Sequence, residues 1–145
     1  MTNRAPVPSR LPPWRRSVAV VLAALQVLYP AAAAAGAGTV ILPDGRTATV
    51  VGSAGNVYSV STGTVSGANA FNSFNGFSVG AGDTVNLLVP ASAINLINIV
   101  RDQRTDIYGI LNGIKDGRIG GNVWFANAHG FVVGKTGVVN VGSLT

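Results

Sequence analysis

His129 is the single histidine of the 145-residue chain, and a lone imidazole does acid–base work only when a second group orients it. It sits in the turn sequence NAHG with no acid within ten residues on either side, so its spacing predicts a turn or stacking role. Ser143 has the chemistry of a nucleophile, but the surrounding GSLT lacks the strained strand-to-helix elbow that would present its hydroxyl. The chain holds five Asp and no Glu, and Asp44, Asp83 and Asp116 each stand beside Gly, where Asp serves turns rather than paired-carboxylate catalysis. The triplet GKT at 134 to 136 would suit a phosphate loop only with a Gly five positions earlier; that position is His129, and a strand-like sequence follows. The piece GAGD at 80 to 83 occurs once, whereas stacked calcium sites need recurrence. With no Cys, disulfides, thiolate zinc sites and Cys nucleophiles are all removed. The residues therefore predict no catalytic centre, no metal site and no cofactor.

The formal charge of +5 is concentrated at one end. Arg4, Arg10, Arg15 and Arg16 precede position 17, which leaves six bases (Arg46, Arg101, Arg104, Lys115, Arg118, Lys135) against five Asp in residues 36 to 145, a balance of +1. Scattered and offset in this way, the bases do not make the clustered face that phosphate neutralisation needs, so no nucleic-acid partner is expected.

The first 35 residues form a basic start, an apolar run from Val18 to Leu28 broken at Gln26, then Tyr29, Pro30 and the string Ala31 to Ala35. This is the pattern of a helical secretory signal peptide, with small side chains where a signal peptidase must admit them. An eleven-residue run at about 1.5 Å per residue spans roughly half of a 30 Å hydrocarbon core, so a membrane anchor is not expected. The division is a signal peptide over 1–35, cleaved near residues 33–37, and a body over 36–145. Export would engage the Sec machinery and signal peptidase.

All 19 Gly lie in the body, between short runs rich in Val, Ile and Phe. Branched side chains suit a pleated strand, while Gly and Asn accept the positive φ of tight turns. Strands are predicted over residues 38 to 42, 47 to 51, 56 to 61, 70 to 79, 84 to 89, 106 to 111, 122 to 126, 131 to 133 and 138 to 141. In Ala91 to Asp102 the apolar Ile94, Ile97 and Val100 recur at near-helical spacing, so helix, irregular turn and strand all stay open there. Short strands between frequent turns suit the rungs of a parallel β-helix better than sandwich strands, although no strict repeat period is visible.

Five stretches carry a family resemblance: ILPDGRT (41 to 47), GNVYSVSTGT (55 to 64), NAFNSFNGFSVGAGDTVNLLVP (69 to 90), DIYGIL (106 to 111) and NVWFANAHGFVVGKTGVVNVGSLT (122 to 145). Together and in this order they resemble the amino-terminal secretion domain of two-partner secretion exoproteins of the filamentous haemagglutinin type. That resemblance implies a right-handed parallel β-helix with an amino-terminal cap. It also implies a non-enzymatic targeting function, with capture by the periplasmic polypeptide-transport-associated domains of an outer-membrane partner transporter. The exported product would be an adhesin, haemolysin or toxin of a Gram-negative bacterium, secreted or surface-held, with a host-cell surface as a further partner.

The family's Asn-Pro-Asn-Gly-Ile turn maps onto Asn127, Ala128, His129, Gly130 and Phe131. Asn127 and Gly130 match; Ala128 and His129 depart, which relaxes the turn and removes an amide that could satisfy backbone groups. A second signature, Asn-Pro-Asn-Leu, has no clear counterpart, the nearest stretch being Asn86 to Pro90. Phe71, Phe74 and Phe77 are either contacts for the partner or packing inside the coils, with packing the expected role. The family normally continues with further rungs after VNVGSL, so a truncated domain is expected. A stand-alone exported adhesin-like or carbohydrate-binding β-domain is the alternative reading.

Overall fold

The computed structural model describes residues 37–145; the leader expected over 1–35 and its helix lie outside the described residues. The first seven strands are β1 (Val40–Pro43), β2 (Thr49–Ala54), β3 (Val57–Thr62), β4 (Val65–Ser66), β5 (Asn69–Ser78), β6 (Thr84–Val89) and β7 (Asn95–Val100). They are followed by β8 (Thr105–Ile107), β9 (Ile110–Lys115), β10 (Arg118–Ile119), β11 (Asn122–Asn127), β12 (Phe131–Val133), β13 (Val138–Asn140) and β14 (Ser143–Leu144). No helix occurs among the described residues.

These strands wind into a β-solenoid of about three turns. One face stacks β5, β7 and β11 in parallel, a second stacks β8 and β12 with a bridge from Val79 to Ile107, and a third stacks β3, β6, β9 and β13 in parallel. Alternation along each strand sends one set of side chains inward. Ala70, Leu96 and Val123 form an inward row in register, all fully buried. Tyr58, Val85, Leu111 and Val139 form another across the third face. Removing a Val, Leu or Phe side chain from water contributes about 1.5–3 kcal/mol. No coil can bury these rows alone, because the partner atoms belong to the coil beside it.

The expected cap is present as antiparallel pairing on the first coil. β1 pairs with the second half of β5, β4 folds back on its start, and β2 covers the edge of β3. Strand edges left open would template other chains, and these additions close that end. At the other end β12, β13 and β14 each have a single strand neighbour among the described residues, and Val132, Val133, Val138 and Leu144 are exposed there.

The structure decides among the alternatives open for 91 to 102 and corrects one expectation. The stretch 91 to 102 is a turn followed by strand β7, with Leu96, Asn98 and Val100 inward and Ile94 exposed, so period two displaces the helical spacing. The single strand expected at 106 to 111 is two strands on different faces, parted at Tyr108 and Gly109. An added Cβ on Gly109 would collide with the carbonyl oxygens of Gly80 and Asp83, so only Gly lets the chain turn this corner against the preceding coil. The short strands β4, β10 and β14 had no sequence signal, being two residues each.

Asp44 ties the cap to two coils. Its carboxylate accepts from Ser73 Oγ at 2.6 Å, the Arg46 amide at 2.9 Å and Arg101 Nε at 3.0 Å, with the side chain only 4% exposed. Burial by itself raises the carboxyl's pKa; the bonds from Ser73, Arg46 and Arg101, with the Arg101 charge, outweigh it and hold the group below its ordinary 3.8. A carboxyl lowered by folding stabilises fully above its unfolded value and loses that stabilisation as pH falls through the folded one.

Two outcomes are expected in urea melts. Midpoints should hold from neutrality to about pH 5 and drop on further acidification, and Asp44→Asn should lower the neutral midpoint and make the acid drop shallower. Gly109→Ala should destabilise by about 1–3 kcal/mol or more through overpacking, whereas Gly52→Ala, with open space around its added Cβ, should be close to neutral.

Candidate functional site

The turn at 127 to 131 joins β11 to β12 and lies over the corner 101 to 104 of the preceding coil. Asn127 organises it. Its Nδ2 donates to the Gln103 carbonyl at 2.9 Å and to Thr105 Oγ1 at 3.0 Å, while its Oδ1 accepts from the His129 amide at 2.8 Å. Asn suits this position because one short side chain carries both donor and acceptor and closes an Asx turn onto the backbone two residues on. Gly130 follows with φ of 100°, a left-handed conformation that disfavours any side chain. Its carbonyl accepts from the Thr105 amide at 3.0 Å, which ties the turn to β8 below.

His129 does not leave the turn short of a donor. Its Nε2 lies 2.8 Å from the Arg101 carbonyl. A carbonyl only accepts, so the ring nitrogen is the donor and supplies the hydrogen bond expected to be missing when a side-chain amide is absent. Ala128 is exposed. The corner residues that receive the turn, Arg101, Gln103 and Thr105, carried no motif. Their role comes from stacking one coil above another.

The three phenylalanines part company. Phe74 and Phe77 are fully buried with ring centroids 5.2 Å apart, and the column continues through Phe125 at 5.4 Å and Phe131 at 4.9 Å. Offset, tilted pairs at this separation add to the burial of each ring. Phe71 alternates to the outer face of β5, half-buried, in register with Ile97 of β7 and Trp124 of β11, the last 43% exposed. The result is an outward apolar row across three coils, flanked by the row Asn69, Asn95 and Asn122.

The groups once weighed for catalysis have structural partners. Ser143 Oγ donates to Asn122 Oδ1 at 2.9 Å, and Asp116 takes a positive φ of 51° in the hairpin between β9 and β10. Arg104 Nε binds Asp106 Oδ1 at 2.8 Å. Among the described residues no cluster of three His, Cys, Asp or Glu could hold a metal ion. What the arrangement offers is a surface and a stackable edge.

A family model described as the TPS secretion domain matches residues 39–145. No curated protein and no solved structure matches the chain.

Asn127→Ala removes three hydrogen bonds and should destabilise by about 1–3 kcal/mol, and Gly130→Ala by a similar amount through strain at positive φ. His129→Ala should cost about 0.5–1.5 kcal/mol, and His129→Gln should recover most of it, because its amide nitrogen stands about as far from the backbone as the imidazole Nε2 and can make the same donation to Arg101. Thermal or urea unfolding of the four variants checks the order.

Proposed function

The chain belongs to the TPS secretion domain family, so it is the targeting module of a two-partner secreted protein that leaves the cell through an outer-membrane partner transporter, and from this premise we propose how its residues serve capture and export. The family match over residues 39–145 is the observation that carries the reading.

The chain is captured unfolded, after Sec export and removal of the leader by signal peptidase near residues 33–37. In that state its β-prone segments add as strands to a sheet edge of the transporter's periplasmic polypeptide-transport-associated domains, with main-chain hydrogen bonds for affinity and alternate side chains for selectivity. Phe71, Phe74 and Phe77 are all available to the partner at this stage. Folding then withdraws Phe74 and Phe77 into the core and leaves Phe71 on the outer face. Outside the cell the cap closes first, the coils stack upon it, and the apolar area they bury opposes retreat through the pore. The lack of Cys suits this order, since no disulfide can lock the chain in the oxidising periplasm before it threads. The module is non-enzymatic. The protein it exports is an adhesin, haemolysin or toxin of the filamentous haemagglutinin type, acting at a host-cell surface.

Co-expression with a candidate partner transporter tests this. Release of the chain to the medium should depend on the transporter, and equal release without it would favour a free-standing exported β-domain instead. Within the released material, Phe71→Ala should reduce export several-fold while leaving the melting temperature near wild type. Phe74→Ala should lower stability by about 3–5 kcal/mol as a core cavity forms.

A further inference from the structure

Two fully buried amides sit in the otherwise apolar inner rows of the first face. Asn72 on β5 and Asn98 on β7 are both 0% exposed and lie in register, between Ala70 and Phe74 on one strand and between Leu96 and Val100 on the other. Asn72 Nδ2 donates to Asn98 Oδ1 at 3.0 Å. The pair belongs to a longer relay. The Ser73 amide donates to Thr47 Oγ1 at 3.0 Å, Thr47 and Thr49 hydroxyls lie 2.8 Å apart, Thr49 Oγ1 donates to Asn72 Oδ1 at 2.9 Å, and Asn98 Nδ2 donates to the Trp124 carbonyl at 3.2 Å. It runs from the cap through the first and second coils to the third.

The direction of this relay is fixed by its far end. The Trp124 carbonyl can only accept, so Asn98 must turn its Nδ2 toward it and its Oδ1 toward Asn72. Asn72 must then offer Nδ2 to Asn98, which leaves its Oδ1 facing Thr49. Thr49 must donate, and so must accept from Thr47. Each group has one orientation that satisfies every neighbour, and among the described residues no buried side-chain nitrogen or oxygen is left without a partner. A slip of β7 along β5 by two residues would keep the inward and outward faces but place Asn98 against Ala70 or Phe74. Two buried amides would then be orphaned, which a dry interior penalises heavily. Apolar rows alone do not distinguish the two registers, since Leu, Val and Ala tolerate one another's places.

We propose that Thr49, Asn72 and Asn98 are a register lock: they specify how the second coil seats on the first, and the first on the cap, at the expense of the stability an apolar interior would give. Buried asparagine has this role where apolar side chains alone permit several registers. Thr49 is the positioning residue, acting through Asn72. The proposal concerns folding of the chain itself and is independent of any transporter.

Urea unfolding and nitrogen-15 NMR of the full 145-residue chain test it with five variants. Asn72→Leu and Asn98→Leu should each lower the unfolding midpoint, because each strands the remaining amide. The double variant should recover to the wild-type midpoint or above, yet give more than one set of backbone amide resonances for β7. Thr49→Val takes the donor from Asn72 Oδ1 and should shift the side-chain amide resonances of Asn72, and Thr49→Ser, which keeps the hydroxyl, should restore them. The proposal is overturned by a double variant with one resonance set and native contacts between β5 and β7, by a double variant less stable than either single, or by Asn72 side-chain amide resonances that are unchanged in Thr49→Val.

Discussion

The stacking of each coil on the one before it is the constraint from which the other features follow. A single coil has three short strands and a strip of inward side chains, and alone it would leave both in water. Against a neighbour, the backbone ladders between β5, β7 and β11 and between β3, β6, β9 and β13 are completed at the same time as the inward rows close. Burial and hydrogen bonding thus arrive together or not at all. The first coil has no predecessor, and antiparallel β1, β2 and β4 take that place.

The corners carry the cost of this arrangement, because a turning backbone exposes polar groups next to a dry interior. Short side chains and one long one meet it. Lys115 extends its ammonium to the carbonyls of Pro90, Ala91 and Ala93 at 2.7–2.8 Å, crowning the turn that leads into β7. Asn127 and His129 do the same for the corner below them. Where a side chain would block the approach of two coils, as at Gly109, glycine is required. Charge plays a smaller part: Asp44 joins the cap to Ser73 and Arg101, and it does so mainly through hydrogen bonds.

For a secretion module this mode of construction has a clear use. Each step of folding needs only what has already emerged, so a chain delivered in order can be built in order. The same strands that form the ladders are, before folding, unsatisfied backbone suited to pairing with another protein's sheet edge. Folding and any pairing of that kind would draw on the same hydrogen-bonding groups, and the folded state leaves outside what the coils do not consume, such as the row Phe71, Ile97 and Trp124.

Much of this was legible in the residues themselves. Strands β6 and β12 have the bounds read from the sequence, and most other strands begin and end within a few residues of expectation, because branched side chains and Gly-bearing turns act locally. The repeat was hidden. Paired asparagines lie 26, 27 and 28 residues apart at Asn69–Asn95, Asn95–Asn122 and Asn112–Asn140, a spacing too uneven to show as a period though it was there to be found. Only the tertiary structure made 95–100 a strand, divided 106–111 at Tyr108, sent Phe71 outward and Phe74 inward, and brought His129 to the Arg101 carbonyl. Each of those outcomes depends on a neighbour about one coil away along the chain, and no window of local sequence contains both members of such a pair.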